Sequence, residues 1–380
     1  MKENSVAHEG LYILDWGKLE VGDIILEHGY ALHSSIICKA TGSHYSHAMI
    51  YVGNTIIEAT QKGRVFSKIP NRFTVKNIND LKVLRLKTPI PSVKMNKITE
   101  HARLLVGTEY GLKEAIFSAR PSKNLKPTEA QFCSRLVAQS YASVGINLVA
   151  NTNFCSPADI ERSELLCEVP DTVREGTRQE IEHAHANSLH NEHRDSAADF
   201  CKNALEVLSL YKIKTITINN KPKKIATLND IFRAVNERGK KIKTLDSKIA
   251  ELMQTTGYMD GPFHDKQQNP YRYDIDLFTQ RLNTFDEKIR IDILRGEIEK
   301  DLDHIEHRIR NFLSSKNNKK TKLKVFINDY EINKNMLETM LQRTLITLSY
   351  CSNQNSDNNI YESHISDLNE MKNKLESYLK

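Results

Sequence analysis

The stretch "SHYSHAMIYVGNTIIEAT", Ser43 to Thr60, predicts a β-hairpin that carries an imidazole and a carboxylate. Apolar residues dominate both halves, and they are joined by Gly53 and Asn54, which are favourable residues for a two-residue hairpin loop. This loop sets a register that includes the pairs Ile50–Ile57 and Tyr51–Ile56 and places Met49 opposite Glu58. A strand–turn–strand unit near the N-terminus is therefore the starting point for the fold.

The register also decides which of two histidines is the better candidate for a catalytic base. Side chains alternate along a strand, so His47, Met49 and Glu58 share one face, with Glu58 one diagonal step from His47. A carboxylate at that distance can fix the tautomer of the imidazole and leave its other nitrogen as a base. His44 precedes the strand and is expected in a loop at the rim. No third ligand is visible near the two histidines, so we expect no metal site.

A second stretch, "PTEAQFCSRLVAQSYASVG" (127–145), places Cys133 at or near the start of an amphipathic helix. A thiol in a first helical turn has a lowered pKa, and a neighbouring imidazole lowers it further. Backbone N–H groups at the same helix start can stabilise an oxyanion. Thr128 and Gln131 also fit a capping box, which would start the helix earlier and move Cys133 into the second turn. The sequence leaves these two helix starts open.

The pattern of apolar residues changes near Pro170 and predicts an α+β domain followed by a mainly helical one. Residues 1–170 alternate short β-type runs and helical segments. Residues 171–199 are polar and His-rich, and we interpret them as a linker or exposed helix. Its His183, His190 and His193 could share a face and bind a transition metal, but a solvated helix is favoured because no apolar scaffold surrounds them. Residues 200–380 show helical periodicity, which indicates a bundle or coiled-coil-like domain, and within them "KTITINNKPKKIAT" (214–227) predicts a small hairpin that turns at Asn219 and Asn220.

Composition excludes several classes of protein. The net charge of +6 is small against 54 basic and 48 acidic residues, so nucleic acid is not an expected partner. The six cysteines form no CxxC pair, which argues against a zinc ribbon or a disulfide framework. No stretch is long and apolar enough to cross a membrane, and the N-terminus has no signal-peptide core. We therefore expect a protein that is cytoplasmic when synthesised.

Taken in order, five segments resemble the circularly permuted branch of the NlpC-type papain-like superfamily, the YiiX-like cysteine peptidases. The segments are "VGDIILEHG", "TGSHYSHAMIYVGNTIIEAT", "VGTEYG", "FCSRLVAQSYASVGINL" and "SPADI", and they span roughly 19–169. The resemblance implies a permuted papain-like fold with Cys133 as nucleophile, His47 as base and Glu58 as the orienting third residue. It also implies an aromatic at the edge of the site, which Tyr110 matches. The C-terminal half shows no such resemblance.

We place Tyr45, Tyr110 and Ser134 at substrate-binding positions, although the two tyrosines could simply pack in the core. The leading hypothesis is a cysteine hydrolase that needs no cofactor and, by the family resemblance, cleaves amide bonds in peptidoglycan peptides. Without a signal peptide, such an enzyme could be an antibacterial effector delivered by a specialised secretion system, with the helical half binding a secretion component or an inhibitor.

Two alternatives stay open. Relatives of the same permuted fold, the lecithin:retinol acyltransferase-like proteins, act on lipid acyl chains, so a lipid acyl hydrolase or acyltransferase with the same triad is the second hypothesis. The third is an inactive scaffold that carries a helical interaction module.

Overall fold

The computed structural model describes residues 11–30, 32–53, 55–60, 64–68, 74–118, 126–185, 189–285, 287–354 and 359–380. By contact density the chain divides into two compact units. The first comprises Met1–Asn187 with Ala226–Asp230, and the second comprises Ser188–Ile225 with Ile231–Lys380. We call them the α+β unit and the helical unit.

A six-stranded antiparallel sheet is the frame of the α+β unit. The strands of this unit are β1 (Tyr12–Leu14), β2 (Ile24–Glu27), β3 (His47–Tyr51), β4 (Ile56–Ala59), β5 (Val65–Lys68), β6 (Leu81–Leu86), β7 (Leu166–Glu168) and β8 (Val173–Glu175). The strand order in the sheet is β5-β4-β3-β2-β6-β7, and a separate ribbon pairs β1 with β8. Its helices are α1 (Leu32–Thr41), α2 (Ser92–Leu104), α3 (Leu112–Ser118), α4 (Cys133–Ala142), α5 (Pro157–Glu161) and α6 (Arg178–His185).

The predicted hairpin is confirmed as β3–β4. Ile50 pairs with Ile57 and Tyr51 with Ile56, as the turn chemistry predicts. Gly53 adopts a φ of +89°, a conformation that costs a residue without a Cβ little. Asn54, the other predicted loop residue, lies outside the described residues.

Alternation along the strands buries both faces of the sheet. Ala48 and Ile50 face a core that includes Leu136 and Val137 of α4. The opposite face carries Met49, Tyr51 and Ile56, which pack with Leu14 and Val75. Apolar area removed from water contributes about 25 cal/mol per Å², so these two layers hold the sheet and α4 together.

The helical unit contains one small hairpin and long packed helices. Its strands are β9 (Thr215–Ile218) and β10 (Lys221–Lys224). Its helices are α7 (Leu189–Leu210), α8 (Leu228–Arg238, which begins in the α+β unit), α9 (Lys243–Thr255), α10 (Gly261–Gln268), α11 (Ile275–Leu282), α12 (Glu287–Asn318), α13 (Lys324–Ser352) and α14 (Asn359–Leu379). The β9–β10 loop is Asn219–Asn220 with φ of 48° and 60°, as the sequence predicts.

The long helices of this unit bury an apolar core and a network of charges. Phe278, Ile298 and Phe312 belong to the core, together with residues of α13 and α14. Arg343 pairs with Asp301 at 2.6 Å, and both side chains are largely buried. The expected fold class, an α+β domain followed by a mainly helical part, is confirmed.

Within the described ranges, no helix has the length and apolar character needed to span a membrane. Residues 171–199, predicted as a linker or exposed helix, contain β8, α6 and the first part of α7. The side chains of His183, His190 and His193 lie outside what the structure describes.

Candidate active site

Cys133 is the first residue of α4. The helix begins after Phe132, which has extended backbone geometry. The earlier start through a Thr128–Gln131 capping box is wrong, because the Thr128 hydroxyl and N–H donate to the Glu114 carboxylate instead. The thiol therefore lies in the first helical turn, where the helix dipole favours the thiolate.

His47 begins β3 and lies between Cys133 and Glu58. Its Nε2 is 3.1 Å from Glu58 Oε2, and the ring is also hydrogen-bonded to the Cys133 thiol. The Glu58 side chain is 8% exposed and the His47 side chain 18% exposed, so water screens this chain of groups poorly. Hairpin parity thus brings the predicted base and carboxylate into contact.

The electrostatics of the pair favour a thiolate and an imidazolium. Burial alone would lower the pKa of His47, but the hydrogen bonds and charges of Cys133 and Glu58 outweigh it and hold that pKa well above its usual range. Burial raises the pKa of the Cys133 thiol, but His47 and the backbone N–H groups of Ala48 and Ser134 bring it below its ordinary value. A thiolate beside a protonated imidazole can attack a carbonyl carbon and supply a proton to a leaving group.

Arg135 fixes the start of α4 through contacts that the sequence analysis missed. Its side chain is fully buried and donates to the carbonyls of Ala130 and Asn153 and to Glu114, 3.0 Å away. The Arg135–Glu114 pair ties the segment that enters the helix to α3. The signal in the sequence was an arginine beside the apolar positions of an amphipathic helix, since a buried guanidinium needs a carboxylate and carbonyl partners.

The three predicted substrate-binding residues take different positions. Tyr110 is half-buried, forms a bridge with Gln131 and interacts with the Cys133 charge. Tyr45 is buried, and its hydroxyl donates to the Asn79 carbonyl. Ser134 is also buried and donates to the Cys155 carbonyl, so its hydroxyl holds α4 against a loop. Of the three side chains, that of Tyr110 is the one that interacts with the charge of Cys133.

His44 lies outside the Cys133–His47–Glu58 chain. Its ring stacks on His28 with centroids 4.4 Å apart, and its Nε2 is 2.8 Å from Asp80 Oδ1. The expectation that no third group approaches His44 is wrong, because His28 follows β2 and Asp80 precedes β6, and both strands neighbour each other in the sheet. Sequence spacing alone does not bring these residues together.

Residues 18–188 match the model of a family described as permuted papain-like amidase enzymes, YaeF/YiiX, C92 family. The α+β unit contains a permuted papain-like domain. This match confirms the resemblance seen in the N-terminal half of the sequence. For residues 18–188, the matched family is one of papain-like cysteine hydrolases or amidases.

A solved structure is also similar to this papain-like domain. The crystal structure of metalloprotein yiiX from Escherichia coli O157:H7 is 20% identical and covers 40% of this chain and 96% of its own, with a TM-score of 0.31. Among curated proteins, none matches this chain.

Proposed function

We propose that the papain-like domain is a cysteine amidase in which Cys133 is the nucleophile, His47 the general acid and base, and Glu58 the residue that orients His47. The observation that carries this proposal is the position of His47, in contact with both the Cys133 thiol and the Glu58 carboxylate. The family match of residues 18–188 supports the same chemistry.

The proposed reaction has two halves. In acylation, the Cys133 thiolate forms a bond to the substrate carbonyl carbon, and the carbonyl electrons move to oxygen. When the oxyanion collapses, the C–N bond breaks and His47 gives its proton to the departing amine. In deacylation, neutral His47 takes a proton from water, the resulting hydroxide attacks the thioester, and the C–S bond breaks to restore the thiolate–imidazolium pair.

The start of α4 suits the charge that develops on the carbonyl oxygen. The first N–H groups of a helix have no partner within the helix and carry the positive end of its dipole. In this proposal, the backbone N–H of Cys133 stabilises the oxyanion while Tyr110 forms part of the wall beside the thiol. Removing one donor of this kind from an oxyanion site typically costs about 10²–10³-fold in rate.

For the substrate, we propose an amide bond in a peptidoglycan peptide, a choice that rests on family analogy rather than on pocket residues. An enzyme with this substrate would act as an antibacterial effector when delivered to a competing cell. In that case, we propose that the helical unit contacts the delivery system or an inhibitor.

The test is incubation of the full chain with purified muropeptides and, in parallel, with phospholipid vesicles. The proposal predicts released peptides by mass spectrometry, lost in Cys133→Ala and His47→Ala but kept in Cys167→Ala, which removes an exposed cysteine elsewhere. Released fatty acid without peptide would overturn the amide substrate and favour a lipid acyl hydrolase. If neither product appears and no acyl adduct forms on Cys133, the inactive-scaffold hypothesis gains support.

A further inference from the structure

A second cluster of functional groups lies at the end of the sheet where β2 ends and β3 and β6 begin. It consists of His28, His44 and Asp80, which arrive from three separate segments of the chain. One donor atom from each residue lies within 4.8 Å of the other two. None of the three takes part in the amidase chemistry proposed above.

Hydrogen bonds around this cluster orient its imidazole and carboxylate. His28 Nδ1 is 2.6 Å from the His44 carbonyl oxygen, which can only accept, so Nδ1 carries a proton and, in the neutral ring, Nε2 is the nitrogen with the lone pair. A hydrogen bond from the second ring nitrogen to a carbonyl is the usual outer contact of a metal-bound histidine.

The Asp80 carboxylate has one oxygen committed and one facing the histidine. Oδ2 accepts from the Tyr30 hydroxyl at 2.5 Å and from the Asn77 backbone and side-chain nitrogens at 3.1 and 3.0 Å. Oδ1 faces His44 Nε2 at 2.8 Å. Neutral donors therefore hold one oxygen in place while the other points at the imidazoles.

Burial leaves the site open on one side. The Asp80 side chain is 2% exposed, whereas the His44 side chain is 48% exposed, which leaves an entry route from solvent.

We propose that His28, His44 and Asp80 bind a divalent transition metal of the zinc class, with water completing the coordination. Two imidazole nitrogens and one carboxylate oxygen form a donor set that zinc accepts, with bonds of about 2.0–2.2 Å. Ligand atoms in such a tetrahedral site lie about 3.4 Å apart, and the donor atoms here are separated by between 2.8 and 4.8 Å. For His44 Nε2 to bind the metal, the proton that it holds towards Asp80 moves to Nδ1 by exchange with solvent, so that the ring stays neutral and Nε2 offers its lone pair.

An ordinary ion pair between His44 and Asp80 explains less of the geometry. Such a pair needs only one imidazole, yet His28 stacks on His44 with its ring planes 16° apart and its Nδ1 proton already committed. Two imidazole rings can both donate lone pairs to one cation, and a simple ion pair does not require the second ring.

The test is zinc binding by the full chain in a Cys133→Ala background, because the Cys133–His47 pair could itself bind zinc. Competition against a chromophoric chelator should give one tight site. Loss of an outer-shell contact lowers metal affinity about 10–100-fold. His28→Ala and His44→Ala should each lower the zinc affinity by more than that. The matched control is the triple variant His183→Ala, His190→Ala, His193→Ala in the His-rich segment, which should bind as tightly as its parent.

Three results would overturn the proposal. They are the absence of a tight site in the parent, unchanged affinity in both single variants, and loss of binding in the triple variant alone. X-ray absorption of the zinc-loaded parent does not depend on the folding of any variant at this site, and it should show two imidazoles, oxygen and no sulfur. A sulfur ligand would assign the metal to a cysteine such as Cys38, whose thiol donates to the His44 carbonyl. Because the amidase proposal is tested by product release, either proposal can fail while the other stands.

Discussion

Replacing His47 with alanine should move the reactivity of Cys133 to higher pH. In the wild type, the thiol pKa is below its ordinary value because His47 is hydrogen-bonded and positively charged beside a buried sulfur. Thiolate is present above that lowered pKa and is lost as the pH falls through it. Without His47, burial of Cys133 is no longer offset by the imidazolium, so its pKa should rise to or above the ordinary thiol value of about 8.5.

The size of the effect follows from two opposing terms. At a pH below both values, each unit by which the pairing lowers the pKa raises the thiolate fraction about tenfold. The same unit lowers the intrinsic nucleophilicity of the thiolate about threefold, because nucleophilicity falls with basicity. The net gain in alkylation rate is about threefold per unit, so the wild type should react faster than the variant near pH 6 and the difference should narrow as the pH approaches 9.

The assay is alkylation by an uncharged iodoacetamide from pH 4 to 10, with each cysteine quantified by peptide mass spectrometry. The exposed Cys167 serves as the reference thiol in the same sample. Cys155, whose pKa burial raises to about 12, should stay nearly unreactive. His44→Ala is the matched control, because it removes a histidine close in sequence that is not bonded to Cys133.

One result would refute this reasoning directly. If the Cys133 rate profile is the same in the wild type and in His47→Ala, the imidazole does not control the thiol. A shift of equal size in His44→Ala would mean that a general change in the loop, rather than the hydrogen bond to His47, sets the reactivity.

Three further changes test the site and the fold. Glu58→Gln removes a charge that raises the pKa of His47, so the imidazolium should lose its proton at a lower pH. The alkaline limb of the profile of kcat/KM against pH should therefore move to lower pH, and an unmoved limb would exclude an effect of Glu58 on the pKa of His47. Arg343→Leu leaves Asp301 buried without its cation and should lower the free energy of unfolding by about 3–5 kcal/mol. Hydrogen exchange of the backbone amides in α12 and α13 measures this loss, and unchanged protection of these amides would mean that water reaches the ion pair. Ser156→Ala removes the N-cap of α5 and should lower the free energy of unfolding in urea by about 0.5–2 kcal/mol. An unchanged free energy would mean that another group caps this helix.

The sequence predicts the β3–β4 hairpin well because its determinants are local. Gly53 sets the turn, and strand alternation then brings His47 to Glu58 across neighbouring strands. The β9–β10 turn at Asn219 and Asn220 is predicted for the same reason, since both residues tolerate a positive φ. Where turn chemistry fixes the register, side-chain contacts follow from counting residues.

Contacts between distant segments are harder to predict. Two helix starts near Cys133 satisfy local rules, and a tertiary contact selects between them, because Glu114 takes the Thr128 hydroxyl that would have capped the earlier start. The same holds for His44, whose partners His28 and Asp80 come from other strand ends. Capping rules and periodicity carry no information about which strands become neighbours.

Cys133 and His47 meet because the core places them, not because they attract each other strongly. A typical hydrogen bond contributes about 0.5–1.5 kcal/mol net, whereas each fully buried aliphatic side chain contributes about 1.5–3 kcal/mol. Leu136 and Val137, both fully buried, therefore hold α4 against the sheet more strongly than the bond from His47 to Cys133 could. Arg135 and Tyr141 add polar contacts at either end of the helix, to Glu114 and to the Gly22 carbonyl. The core, rather than a ligand, thus fixes the positions of the Cys133 thiol and the His47 ring, which is the condition for electrostatic stabilisation without reorganisation.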